Sequence, residues 1–453
     1  MKGVFQAKLI LVVLAGLVLG AAALLQAQTS TTTSFRASDP GVRGGDPGAG
    51  GPIEGLTTRQ GEFFDAGLDE FADVDGVAEG LGPRMNLDSC GGCHAQPVTG
   101  GTSPFVNPQF AFTTVPGGDS PPFFITQNGP VREARFKFNP DGTRDGGVHN
   151  TATITGRTGA AGCSLAQPDF VAADRANNLI FRIPTPVFGA GLIEQVPDSV
   201  IKANQAANGF IKRLFGILGR PNNNGNDGTI ARFGWKAQNQ TLLLFSGEAY
   251  NVEMGITNEL FQQEREQKPS CQFVTVPNNV TDTEVTTTPA GLSAIEKFAF
   301  FQRFLAPPTP SPDTPGGATS INNGRSLFVS VGCALCHTPT LTTGNSTVAA
   351  LNNQRVNLFS DILLHNMGPG LADDILQGQA QGDEFRTAPL WGLGQRIFFL
   401  HDGRTKDLIE AIQEHKSAGN TKFGPSEANA VINNFNQLGE RKKQDLLNFL
   451  RSL

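Results

Sequence analysis

The sequence has few side chains that give up electrons easily. A single tyrosine, Tyr250, and two tryptophans, Trp235 and Trp391, stand beside 33 phenylalanines in a chain of 453 residues. Charge is also sparse, at 17% of residues, and 35 Lys and Arg against 41 Asp and Glu leave a formal charge of −6. That balance supplies no cationic surface to track phosphates, so nucleic acid is excluded as a partner. The chain lacks the repetitive composition of a coiled coil or fibre, and its 54 glycines and 29 prolines exclude a plain helical bundle. What remains is a globular protein with length for two or three compact domains, mainly α with long irregular loops.

Residues 1–27 join Lys2 and Lys8 to an apolar run from Leu9 to Leu25, with small residues at Ala21, Ala23 and Ala27. This is the pattern of a cleavable signal peptide. The run is slightly long for a signal core and slightly short for a bilayer span, so an uncleaved anchor is the alternative. Only in that case would a membrane be a partner. Export places the mature chain in the periplasm, an oxidising compartment in which cysteines can be cross-linked.

Four of the six cysteines fall into two C-x-x-C-H motifs: Cys90, Cys93 and His94 in CGGCH, and Cys333, Cys336 and His337 in CALCH. Covalent haem c needs that spacing. Two thiols add across the two vinyl groups of one porphyrin, and the adjacent imidazole is thereby placed under the iron as its proximal ligand. A zinc site would want four ligands together, whereas these pairs lie 243 residues apart. Two covalently bound haem c groups are therefore expected, with His94 and His337 as metal ligands. Cys163 and Cys271 have no histidine neighbour and no short spacing to each other. In an exported chain they are expected either to pair as a disulfide, which for so long a loop contributes about 4–5 kcal/mol in the chain-entropy model, or to stay as free thiols.

Along the chain, residues 28–56 are rich in Thr, Ser, Gly and Pro and read as a flexible leader. A proline-rich linker at 305–317 separates an N-terminal haem lobe, 57–304, from a C-terminal cytochrome c-like haem domain, 318–453. Each lobe opens with a helix-like stretch before its motif, RQGEFFDAGLDEF in the first and NNGRSLFVSVG in the second. A further helix, GLSAIEKFAFFQRFL, precedes the linker, and ERKKQDLLNFLRSL carries Leu446, Leu447, Phe449, Leu450 and Leu453 on one face. A short internal repeat is also visible. FRIPTPVFGAG (181–191) matches FRTAPLWGLG (385–394), and FGWKAQNQTL (233–242) matches FLHDGRTKDL (399–408), which sets Trp235 opposite His401.

The runs DILLHNMGPGLAD and FRTAPLWGLGQRIFFLHDGRTKDLIEAIQEH, with GGVHNTATITGR, RFGWKAQ and NVEMGIT upstream, resemble the exported di-haem oxidoreductases of peroxidase type over most of residues 57–453. The chain is more distantly similar to bacterial di-haem cytochrome c peroxidases, the di-haem enzyme that matures methylamine dehydrogenase, and the di-haem rubber oxygenases. The resemblance implies two cytochrome c-like haem lobes around an electron-transfer path, the first enlarged by insertions. In the peroxidases an HDG triplet is followed fourteen residues on by the methionine that ligates the C-terminal haem; fourteen residues after His401 this chain has His415. His337 and His415 would make a bis-histidine haem of lower potential than a His/Met one. Met367 and His365 are rival ligands, and His401 is expected beside the haem rather than on its iron. The resemblance also puts Trp235 between the haems as an electron carrier, and makes Glu253, just before Met254, the carboxylate that handles peroxide protons. An exposed loop carboxylate and a buried core tryptophan are the plain alternatives. His149 is expected either on the distal side of the N-terminal haem or as an ordinary loop histidine, since it lies 55 residues past His94, much farther than the loop histidine of the peroxidases. Met85 reads as packing. Tyr250 falls near the place where the repeat would set a distal residue. Calcium between the lobes is common among these peroxidases, although no dense acidic loop marks a site here.

Three functions follow for comparison. The first is a peroxidase-like enzyme in which an N-terminal haem on His94 binds peroxide or another small oxidant. The C-terminal haem on His337 then passes electrons from a small redox protein. The second is a haem oxygenase acting on an apolar substrate, and the third an electron-transfer cytochrome with both irons six-coordinate. The shortage of Tyr and Trp fits a protein in which oxidised iron must not find stray electron donors, and composition drift fits it equally well.

Overall fold

The computed structural model describes residues 35–285, 288–311 and 315–453; the signal segment 1–27 lies outside the described residues. Six helices carry the frame: α1 (Thr58–Ala72), α2 (Leu242–Met254), α3 (Ala294–Phe304), α4 (Gly317–Ser330), α5 (Leu408–Glu414) and α6 (Glu440–Ser452). Shorter helical turns and two-stranded antiparallel sheets fill the long connections. Residues 38–453 form one compact unit. Among the described residues, no helix is long and apolar enough to cross a membrane.

Local chemistry fixes where the helices start. Thr57 and Gln60 form a capping box on α1, each side chain accepting from the other's backbone amide, and Ser293 and Glu296 do the same for α3. Phe64, Gly67 and Phe71 then fall on one face of α1, three or four residues apart, and are buried. That face lies on α3, where Phe71 meets Phe301 at 4.7 Å between ring centroids. The crossing depends on Gly67, because a Cβ there would stand 2.4 Å from the Lys297 carbonyl oxygen. The same device recurs in α4 and α6. Gly324 of α4 would set a Cβ 2.0 Å from the Asp445 carbonyl oxygen, and Phe328 packs on Phe449 beside it. Each C-x-x-C-H motif thus follows a helix that crosses a second helix at a glycine, with phenylalanine packed beside the crossing.

The repeat seen in the sequence shares a backbone course. Strand β1 (Glu133–Phe136) pairs with β2 (Leu179–Arg182), and β3 (Leu364–Asn366) with β4 (Glu384–Arg386), so both copies of the Phe-Arg dipeptide lie in a short antiparallel pair. Downstream, Phe233 bridges Asn239 and Phe399 bridges Thr405. The side chains of Thr241 and Asp407 then cap α2 and α5. This register sets Ala249 of α2 against His415 at the end of α5.

One expectation is corrected. From residue 38 to 56 the leader is not a flexible coil but a strap tied to the fold. Asp39 makes a paired contact with the guanidinium of Arg451, Arg43 is buried with its amide on the Gly394 carbonyl, and Pro52 bridges Leu305. The glycines and prolines let an extended strand run close to its neighbours, and the backbone groups they expose find partners at Phe304, Ala306 and Thr309. The proline-rich run that was expected to act as a linker is the other half of this contact, with Leu305 buried and the Ala306 and Thr309 amides donating to Gly51 and Pro47. Cys163 and Cys271 are joined as a disulfide within the core that also holds Phe64, Met85 and Tyr250.

Candidate functional site

Two cavities open inside the unit, one at each C-x-x-C-H motif. The first, about 160 Å³, is lined by Cys90, Cys93 and His94 together with Glu133, Trp235, Ala249 or its neighbours on α2, Tyr250 and Glu253. The second, about 220 Å³ and mostly apolar, is lined by Cys333, Cys336 and His337 and by His365, Met367, His401 and His415. Trp235 lines both. Its indole Nε1 donates to the Ile183 carbonyl at 2.9 Å, and its ring meets His401 edge-on at 6.3 Å, so the residues paired by the repeat come together between the cavities.

Three histidines are held in the manner of metal ligands. The Nδ1–H of His94 donates to the Gly101 carbonyl at 2.9 Å, that of His337 to Phe359 at 3.1 Å, and that of His415 to Ala411 at 2.8 Å. A carbonyl can only accept, so the tautomer is fixed and Nε2 is left as a lone pair facing the cavity. Burial holds all three imidazoles neutral, His337 down to about 4, with the nearby His415 adding to the effect. His365 is different. Asp361 takes Nε2 at 3.0 Å and Glu427 takes Nδ1 at 2.7 Å, so neither nitrogen is open to a metal and its expected rivalry with His415 ends. His401 stacks on Phe385 at 4.3 Å, and burial takes it down to about 4. Met367 lines the second cavity as well.

The four motif cysteines carry unpaired thiols, and burial pushes those of Cys90, Cys93 and Cys333 up, Cys333 to about 12. Around them are cations without counter-ions. Arg386 and Arg396 reach the second cavity and the small void of about 30 Å³ behind Trp235, and burial takes both down to about 10. The Nε of Arg396 has no hydrogen-bond partner, and neither do the Nε of Arg132 and the Oε1 of Gln238 at the first cavity. A buried guanidinium without a carboxylate is costly unless something supplies one. Haem, with its two propionates, fits this donor set: an imidazole below, two thiols at the edge, arginines for the acids. Among the described residues no group of three or more His, Cys, Asp or Glu could hold a metal ion by itself, so the calcium expectation finds no support.

Glu253 lies where the reading of NVEM put it, on α2 in the wall of the first cavity. It does not stand alone. Its Oε2 accepts from Asn86 Nδ2 at 2.7 Å, and its other side faces Glu133, with which it shares a hydrogen bond. Burial and the Glu133 charge raise Glu253 well above the usual carboxylate range, while Glu133, held by the Arg135 guanidinium beside it, is drawn down to about 2. Glu133 was missed from the sequence. Its alternation with Arg135 in EARF, two residues on and on the same face of β1, was the signal available. His149 is not in this cavity. Its amide pairs with Ala134, its ring stacks on Phe136 at 3.8 Å and its Nε2 meets Asp145 at 2.8 Å, because the loop after β1 folds back along the outside of the strand. Of the two placements expected for His149, the structure gives the loop histidine and not the distal one.

A comparison with curated proteins finds no match. Among solved structures, the chain is similar to a hydrazine synthase of Kuenenia stuttgartiensis at 18% identity and a TM-score of 0.24, over 46% of this chain and 60% of that one, less than two thirds of its length. It is also similar to a MauG-like protein associated with microbial copper homeostasis, at 17% identity and a TM-score of 0.28, over 52% of this chain and 77% of that one. Residues 172–453, which include the second C-x-x-C-H motif and Glu253, match the family described as "di-haem oxidoreductase, putative peroxidase", and with well over half of its length matched the chain belongs to that family.

Proposed function

We propose that the chain is an exported, periplasmic peroxidase-like enzyme that attaches two haem c groups covalently, one at Cys90 and Cys93 and one at Cys333 and Cys336. The observation that carries this reading is the unlike face each cavity turns to its proximal histidine. The cavity at His337 also holds His415, neutral and with its Nδ1 tied to a backbone carbonyl. At the matching place in the first cavity the repeat puts Ala249, and a carboxyl pair, Glu253 with Glu133, stands nearby. The first site would then be the one left open to peroxide, while in the second both His337 and His415 would hold the haem, which would take electrons from a small redox protein.

Haem, when bound, supplies the iron that accepts a peroxide oxygen and the electrons that cleave its O–O bond. The chain supplies protons and exclusion. At rest the pair holds one proton, on Glu253, with Asn86 fixing its orientation and Arg135 keeping Glu133 ionised. The proton on the near peroxide oxygen passes to the pair, and the pair gives one to the far oxygen, which leaves as water. The expected base thus becomes a shared-proton pair that works as acid and base in one step. Trp235, in the wall of both cavities, is the aromatic bridge for an electron between them.

Electron paramagnetic resonance of the oxidised holoprotein tests the reading. One high-spin and one low-spin haem, with cyanide or peroxide moving only the first, is the expected result. Two low-spin haems would make the protein a carrier.

A further inference from the structure

The composition of this chain makes its one tyrosine conspicuous, and its position is more so. Tyr250 is 3% exposed on α2, one turn before Glu253, in the wall of the first cavity. Its Oη lies 3.3 Å from Oδ2 of Asp75, whose own amide is tied to the Asp88 carbonyl just before the first motif. Aromatic rings connect it to the proximal ligand: Tyr250 meets Phe298 edge-on at 5.1 Å, Phe298 meets Phe71 at 5.9 Å, and Phe71 meets His94 at 5.8 Å. Phenylalanine does not oxidise readily, so along this line Tyr250 is the first side chain that can.

We propose that Tyr250 and Asp75 form a redox station at the first cavity, in which Tyr250 gives an electron to the peroxide-oxidised haem while its phenolic proton passes to Asp75. This deepens the reading above and rests on it. The balance is one electron and one proton: the phenol O–H bond breaks, a carboxyl O–H bond forms on Asp75, the tyrosine is left as a neutral radical and the haem is reduced by one equivalent, the hydroperoxide being the ultimate oxidant. A buried phenol cannot shed its proton to water, and so needs a base in contact. Asp75 is suited to that task, because burial and the neighbouring carboxylates of Glu70, Asp73 and Glu79 raise it to about 7, which makes it a stronger proton acceptor than an exposed carboxylate. The same station explains why an otherwise tyrosine-free chain keeps this one: an electron from it repairs an over-oxidised site without involving the rest of the protein.

Because there is a single tyrosine, ring-deuterated tyrosine labels Tyr250 alone. Holoprotein made with the label, mixed with hydrogen peroxide and frozen, should give an organic radical whose proton hyperfine splitting collapses relative to unlabelled protein. The signal should vanish in Tyr250→Phe, fall by about tenfold or more in Asp75→Asn, and return in Asp75→Glu, which restores the base. A radical with unchanged splitting, a radical that persists in Tyr250→Phe, or a haem spectrum that responds to peroxide with no radical at all overturns the proposal. Should peroxide leave the haem spectrum unmoved, the reading of the first cavity fails instead. Flash oxidation with a ruthenium photosensitiser then still decides the station, which requires a tyrosine radical in the parent that is lost in Asp75→Asn.

Discussion

The two cavities share a plan and differ in what faces the proximal histidine. Both are built from a C-x-x-C-H turn after a helix crossing at glycine, and both hold the histidine by its Nδ1 on a backbone carbonyl. Past that point they diverge. The second is mostly apolar and holds His415; the first brings in Glu133, Arg135, Glu253 and Asn86, buried or half-buried and hydrogen-bonded to one another or to their neighbours. Under the proposed function, a few differing wall residues on a shared frame separate a site for protons from a site for electrons.

The contrast can be broken by exchange. Ala249→His should place an imidazole where the second cavity has His415, turning the first haem low-spin and abolishing its reaction with peroxide, as read by paramagnetic resonance and cyanide titration. His415→Ala should do the reverse and open the second. Next in size, Glu253→Gln keeps the hydrogen bond from Asn86 but removes the proton, and should lower the rate constant for peroxide about 10²–10⁴-fold with haem content unchanged. The pH profile sharpens the same point. Glu253 is raised and Glu133 drawn down to about 2, so the pair keeps its one proton from acid through neutral pH. The rate should be level there and decline on the alkaline side as pH rises through the raised value of Glu253, the reverse of a lone carboxylate base. The disulfide touches only the first region: Cys163→Ala with Cys271→Ala should cost about 2–5 kcal/mol in denaturant unfolding. The smallest effect belongs to Trp235→Phe, which should slow electron exchange between the haems in flash photolysis while leaving both spectra intact.

Much of this was legible in the chain. The helices could be read because Phe64, Gly67 and Phe71, and likewise Leu446, Leu447, Phe449 and Leu450, repeat at helical spacing, but which helix crosses which could not. The repeat around Trp235 and His401 survived because its turn residues and caps are local. Glu253 was found through its neighbour in sequence, but Glu133 was not, since 120 residues and a strand pairing separate the partners. Distance in sequence also hid the counter-ion problem: Arg386 and Arg396 look like ordinary surface cations until burial leaves them without acids. The leader misled for the opposite reason. Its glycines and prolines have the composition of a coil, and partners far along the chain, among them 304–309, 394 and 451, hold it still.

That strap has a temporal meaning. Asp39 and Arg451 are 412 residues apart, so the contact that locks the strap cannot form until the chain has been made through Arg451. Closure is therefore a late event in the life of the molecule, and both thiol pairs emerge, in chain order, before it.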